Sequence, residues 1–117
     1  IPFAVVSGST RAAVTASLDA LGIRDRFDVL VCAGDYTRPK PDPEPYQIAA
    51  ARLNREPGHC FAIEDSFNGV RSARGAGCHV IGLTTSFTSE ELASAGAHAT
   101  FDSFDEITAY LNLAAPA

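Results

Sequence analysis

The sequence predicts an α/β protein, a three-layer α/β/α sandwich built around a mainly parallel sheet. Short apolar runs alternate with helix-like stretches along the chain, which is the pattern of βαβ units. Polar clusters stand directly after three of those runs, where open parallel sheets place their ligands. The composition suits a buried core, with 46% hydrophobic and 20% charged residues in a chain of 117, the length of one domain.

The elements follow in order. Phe3 to Val6 reads as a first strand ending at Ser7-Gly8-Ser9-Thr10. Thr10 to Leu21 has helical periodicity, with Ala13, Val14, Ser17, Leu18 and Leu21 on one face, and Gly22 suits a left-handed cap. Phe27 to Cys32 is the second strand, opening into a polar loop from Ala33 to Pro43. Prolines at 39, 41, 43 and 45 stiffen that loop. Pro45 sits in the first turn of a helix reaching Asn54, with Tyr46, Ile48, Ala49 and Leu53 as core contacts.

Cys60 to Ile63 is the third strand, stopping at Glu64-Asp65-Ser66. A helix from Asn68 to Ala76 ends at Gly77, and His79 to Leu83 is the fourth strand. Ser89-Glu90-Glu91 starts a short helix finishing near Gly96, and Ala99 to Phe101 is a minimal edge strand. Ser103 to Leu113 is the last helix, with Ser103 and Glu106 spaced as a capping box. Residues 1–113 thus form one domain and 114–117 a tail.

Nine Lys plus Arg against 14 Asp plus Glu give a net charge of −5, which argues against a nucleic-acid or anionic-membrane binder. No apolar run approaches the roughly 18 residues of a membrane span, and no signal segment opens the chain. Cys32, Cys60 and Cys78 lack CxxC spacing, so they read as free thiols in a reducing cytoplasm. His59, His79 and His98 are scattered without ligand spacing and receive no catalytic role. With no methionine and an opening directly into a strand, the chain reads as the C-terminal part of a longer protein.

The three polar clusters are Ser7-Gly8-Ser9, Lys40 in its proline frame, and Glu64-Asp65-Ser66. Hydroxyl, N–H and ammonium groups donate to phosphate oxygens, and adjacent carboxylates hold a hard dication such as Mg²⁺. Each cluster alone has a plain structural reading: a turn and helix cap, a solvated lysine, and an acid pair at a helix N-terminus. Their joint placement at the carboxyl edge of one parallel sheet is what points to a phosphate and metal site.

Those residues resemble the haloacid dehalogenase-like superfamily, in particular its phosphatases and phosphomutases of the β-phosphoglucomutase and phosphoglycolate phosphatase type. Val5-Val6-Ser7-Gly8-Ser9 is similar to the second motif of that family, which implies that Ser7, with Gly8 and Ser9, binds the transferring phosphoryl group. Lys40-Pro41-Asp42-Pro43-Glu44-Pro45-Tyr46 is similar to the third, whose lysine neutralises nucleophile and phosphate charge. Ile63-Glu64-Asp65-Ser66-Phe67-Asn68-Gly69-Val70 is similar to the fourth, which implies Mg²⁺ held by Glu64 and most directly by Asp65. The resemblance implies a Rossmann-like core and a small phosphorylated metabolite as substrate.

The family's first motif, Asp-x-Asp after the first strand, supplies the nucleophile and the general acid–base residue. The present sequence has no Asp-x-Asp after a strand, and the cap domain that chooses substrates is absent from it. The resemblance therefore implies phosphate- and metal-binding residues without a nucleophile, and a missing central strand supplied by an N-terminal segment or a swapped partner chain. Two other readings stand beside it. One is a non-catalytic anion-binding or interaction module. The other is a receiver-type signalling domain, whose acids come first and lysine last, the reverse of the order here.

Overall fold

The computed structural model describes residues 2–114. In chain order the elements are β1 (Ala4–Thr10), α1 (Arg11–Leu21), β2 (Val29–Ala33), α2 (Glu44–Arg52), β3 (Phe61–Glu64), α3 (Phe67–Ala76), β4 (His79–Leu83), α4 (Ser89–Ala95), β5 (Ala99–Phe101) and α5 (Phe104–Ala114). Single 3₁₀ turns lie at Arg24–Arg26 and Pro57–His59.

Every strand pairing is parallel, as the βαβ alternation requires. The ladders fall into two groups: β1 with β2, and β3–β4–β5. β1 and β3 are not paired with each other, so each keeps one edge without a neighbour among the described residues. A groove separates them, lined by Ala4, Val6, Tyr46, Cys60, Phe61 and Ala62, among others.

Side-chain alternation along the strands sets the three layers. Ala62 of β3 and Val80 of β4 pack with Tyr46, Val70, Ala73 and Leu92 from α2, α3 and α4, and Val6 of β1 joins them. The next residues along point the other way. Val5 packs with Val14 and Leu18 of α1, and Ile81 and Leu83 pack with Ile107 of α5. Phe61 and Ile63 share the α1/α5 side but remain 44% and 39% exposed, because no described helix covers β3 there.

Caps define the helix ends. Thr10 accepts from the Ala13 N–H at 3.2 Å, which moves the start of α1 to Arg11. Gly22 closes it at φ 68°, in the left-handed region expected of it. Leu21, placed on the core face from the sequence, is 70% exposed, because the chain turns at Gly22 and brings Ile23 and Phe27 against Val14 and Leu18 instead. Thr88 and Glu91 form a reciprocal capping box on α4 that the sequence reading passed over. On α5, the Glu106 N–H donates to Ser103 Oγ at 3.3 Å, and Ser103 caps the helix from outside it. Ala114 belongs to α5 and not to a tail; Ala115 to Ala117 of the expected tail lie outside the described residues.

Cys32 and Cys78 are buried, Cys60 is partly so, and all three are unpaired thiols. Burial pushes the Cys78 thiol up to about 11.

His98 ties β4 to β5. The Val80 N–H donates to its Nδ1 at 3.0 Å, the His79 ring stacks on it, and an Arg74 guanidinium nitrogen lies 2.9 Å from Nε2. Burial, then the charges of Arg74 and His79, hold its pKa below the usual 6.5. The unfolded chain therefore takes up this proton at a higher pH than the folded one, so stability falls as pH drops below about 6.5. His98→Asn keeps an acceptor for Val80 and removes the titration. Comparing thermal midpoints at pH 7.5 and pH 5 should show a smaller acid loss in the variant than in the wild type.

Candidate active site

The site begins where β1 loses register. Val6 pairs with Val31, but the next pairing is Thr10 with Ala33, so Ser7-Gly8-Ser9 runs on as an irregular extension of the strand. The sequence reading ended the strand before this segment, with a turn and helix cap as its plain alternative. The Ser9 N–H donates to Ser7 Oγ at 3.0 Å, and the Tyr36 hydroxyl donates to the Ser7 carbonyl at 3.1 Å. Ser7 and Ser9 line a concavity of about 250 Å³ together with Val5 and with Ala13, Val14 and Ser17 of α1.

The Lys40 loop is ordered by its own acids. Glu44 accepts from the N–H groups of Thr37 and Arg38 at 2.5 and 2.7 Å, and Asp42 accepts from the Glu44 N–H at 2.9 Å. Ser72 of α3 donates to the Asp42 carbonyl at 2.6 Å, which fastens the loop to the body of the fold. The Lys40–Pro41 peptide is cis. The lysine side chain extends into the gap between the two strand groups. Its Nζ donates to the Val6 carbonyl at 2.9 Å and to Glu64 Oε2 at 2.6 Å. One ammonium thus links the point where the regular β1 ladder ends to the carboxyl end of β3.

Glu64 and Asp65 are adjacent in sequence and differ in exposure. β3 continues through Glu64, one residue past the expected end, and Asp65 follows just outside the strand. Glu64 shares the inward face of Ala62 and is 8% exposed, whereas Asp65 is exposed. The Tyr46 hydroxyl donates to the same Glu64 oxygen that holds Lys40. Burial first, then the Glu64 charge, raises the Tyr46 pKa well above 10. Glu64 Oε1 lies where a Cβ on Gly69 would stand, 1.8 Å away. Ser66, not the acids, caps α3, accepting from the Gly69 N–H at 3.0 Å.

The structure therefore joins Lys40 to Glu64 and to the end of β1. It sets Ser7 and Asp65 one residue beyond Val6 and Glu64, flanking that junction. It does not turn Ser7 Oγ onto Lys40, and the concavity lined by Ser7 and Ser9 includes neither Lys40 nor Asp65. Among the described residues no three His, Cys, Asp or Glu side chains gather as a metal cluster. Tyr46 was read from the sequence only as a core contact, and the role of Gly69 was not read at all. Strand parity was the available signal, since Ala62 and Glu64 share one face.

A doubly wound α/β domain with a cation at the carboxyl edge of its strands belongs to a broad class of anion-handling folds. The comparisons narrow that class. The family model for haloacid dehalogenase-like hydrolases matches residues 1–77, and the chain belongs to that family. It is 40% identical over 95 residues to validoxylamine A 7'-phosphate phosphatase of Streptomyces hygroscopicus subsp. limoneus, covering 81% of this chain and 45% of that protein. CbbY from Rhodobacter sphaeroides, solved in complex with phosphate, superposes with a TM-score of 0.82 at 35% identity, covering 92% of this chain and 48% of that one. A HAD family hydrolase from Deinococcus radiodurans R1 with bound phosphate and sodium gives a TM-score of 0.88 at 29% identity, covering 97% and 53%. The chain spans less than half the length of the curated relatives it matches. No described helix is long and apolar enough to cross a membrane.

Proposed function

We propose that this chain is the phosphate- and metal-binding portion of a Mg²⁺-dependent phosphohydrolase, a phosphatase or phosphomutase acting on a small phosphorylated metabolite. The observation that carries the reading is the Lys40 ammonium, held between the Val6 carbonyl and Glu64 at the carboxyl edge. An ammonium fixed there offers its charge to a phosphoryl group; on the neighbouring segment Ser7 Oγ and the Gly8 N–H supply further donors, while the Ser9 N–H donates to Ser7 Oγ and orients that hydroxyl. Asp65, exposed and oxygen-bearing, fits a Mg²⁺ ligand, since that ion needs few carboxylates and keeps several waters. Bound there, the ion would neutralise phosphate charge. Glu64 has its Oε2 committed to Lys40 and Tyr46, so its part in this reading is to anchor the cation.

Transfer through an aspartyl-phosphate needs a carboxylate nucleophile in line with phosphorus, which none of these residues provides. The reading places that group on a strand entering the gap between β1 and β3, from a segment of the longer protein or from a swapped partner chain. Relatives about twice as long as this chain support it, as do the two unpaired strand edges. Three unpaired thiols suit a cytoplasmic setting.

The test compares phosphate release from small phosphomonoesters, with Mg²⁺, by the 117-residue chain and by the polypeptide extended upstream in its reading frame. The expected result is no turnover from the chain, turnover from the extended protein, and its loss on Lys40→Ala. Metal-dependent release by the pure 117-residue chain, or turnover that survives Lys40→Ala, would overturn the reading.

A further inference from the structure

Lys40 is the only lysine among the 117 residues, against eight arginines. It is also the cation most completely enclosed by other groups in the candidate site, with a side chain 21% exposed and two acceptors within 3 Å. What fixes it is a carboxylate, and what fixes the carboxylate is a tyrosine. Glu64 Oε2 receives both the Lys40 ammonium and the Tyr46 hydroxyl, while Oε1 occupies the space that Gly69 leaves by lacking a side chain. The Tyr46 ring lies under the ammonium as well, 5.4 Å from Nζ to its centroid.

Packing alone does not account for a tyrosine here. Tyr46 is 9% exposed within the cluster of Ala62, Val70, Ala73 and Val80, where a phenylalanine ring would bury the same apolar surface. The hydroxyl brings a desolvation cost that only a partner offsets. Its partner is the carboxylate on which the lysine rests.

We propose that Tyr46 is a positioning residue: its hydroxyl pins Glu64, and the pinned carboxylate sets where the Lys40 ammonium stands at the end of β1. The proposal rests on the reading of Lys40 as a phosphate-binding cation. Without the hydroxyl, Glu64 Oε2 keeps the lysine as its sole described donor and the carboxylate is free to swing, taking the ammonium with it.

A single lysine makes the test direct. In the 117-residue chain labelled with ¹⁵N-lysine, the one ammonium cross-peak belongs to Lys40, and its hydrogen-exchange rate reports how firmly it is held. Tyr46→Phe keeps the ring and removes only the oxygen. The expected result is exchange faster by about tenfold, the order a hydrogen bond to a charged group is worth. Glu64→Gln, which keeps the volume and an acceptor for Tyr46, should also speed exchange.

Exchange unchanged in Tyr46→Phe, with a native-like circular dichroism spectrum, would overturn the proposal. Should that variant fail to fold, unchanged exchange in Glu64→Gln overturns it equally. Titration with inorganic phosphate separates this proposal from the reading beneath it. A Lys40 shift on adding phosphate in the wild type, with affinity weakened in Tyr46→Phe, supports both. A Lys40 signal indifferent to phosphate in the wild type sinks the phosphate reading, and the exchange rates still decide the role of Tyr46.

Discussion

Glu64→Ala should destabilise the fold by about 3 kcal/mol, the lower end of the range for removing one partner of a buried ion pair. Glu64 is 8% exposed and has two donors on one oxygen. Deleting it strands the Tyr46 hydroxyl in an apolar cluster and leaves the Lys40 ammonium with the Val6 carbonyl alone. The figure sits at the low end because the Lys40 side chain, 21% exposed, can turn toward water. Glu64→Gln should cost less, because the amide still accepts from the hydroxyl and the lysine. Urea unfolding of the wild type and both variants measures the difference, and a loss below about 1 kcal/mol in Glu64→Ala would mean that Lys40 and Tyr46 find other partners.

The same residue shows how far the sequence could be read. Alternating apolar runs and helical periodicity located the strands and helices, since both arise from local side-chain direction. β4 and β5 fall on their expected residues. Boundaries slipped where a cap decided them, as at Thr10 and Ser66, because a capping residue lies just outside the helix it begins. The division of the sheet is long-range, and what was legible was the resemblance that implied a strand between β1 and β3. Lys40 was legible from its proline frame. Its partnership with Glu64 was not, because the expected strand stopped one residue early and left the acid in a loop. In an extended strand, one residue decides whether a side chain faces the core or the solvent. Glu64, on the same face as Ala62, therefore turns inward to the lysine, while Asp65, just past the strand, is exposed.

Gly69→Ala is the second large effect, and its sign is opposite to the usual one. Gly69 lies inside α3, where alanine is ordinarily better by about 1 kcal/mol. Its backbone does not need glycine, since it is not among the residues with positive φ. The obstacle is the neighbour, because an added Cβ would stand 1.8 Å from Glu64 Oε1 and 2.3 Å from the carboxyl carbon. The end of a glutamate can usually swing aside at little cost. This one is held by Lys40 and Tyr46, so swinging aside breaks bonds to a charged group worth roughly 1.5–3 kcal/mol each. Less the helical gain, the expected net loss is about 2–5 kcal/mol. In a Glu64→Ala background the carboxylate clash is gone and only the capping Ser66 Oγ, 2.8 Å from the added Cβ, still crowds it, so Gly69→Ala should cost clearly less there than in the wild type. A double-mutant cycle by urea unfolding reads this relief directly. If Gly69→Ala costs the same with and without Glu64, the carboxylate is not wedged against the helix, and the anchor that holds Lys40 is looser than these distances show.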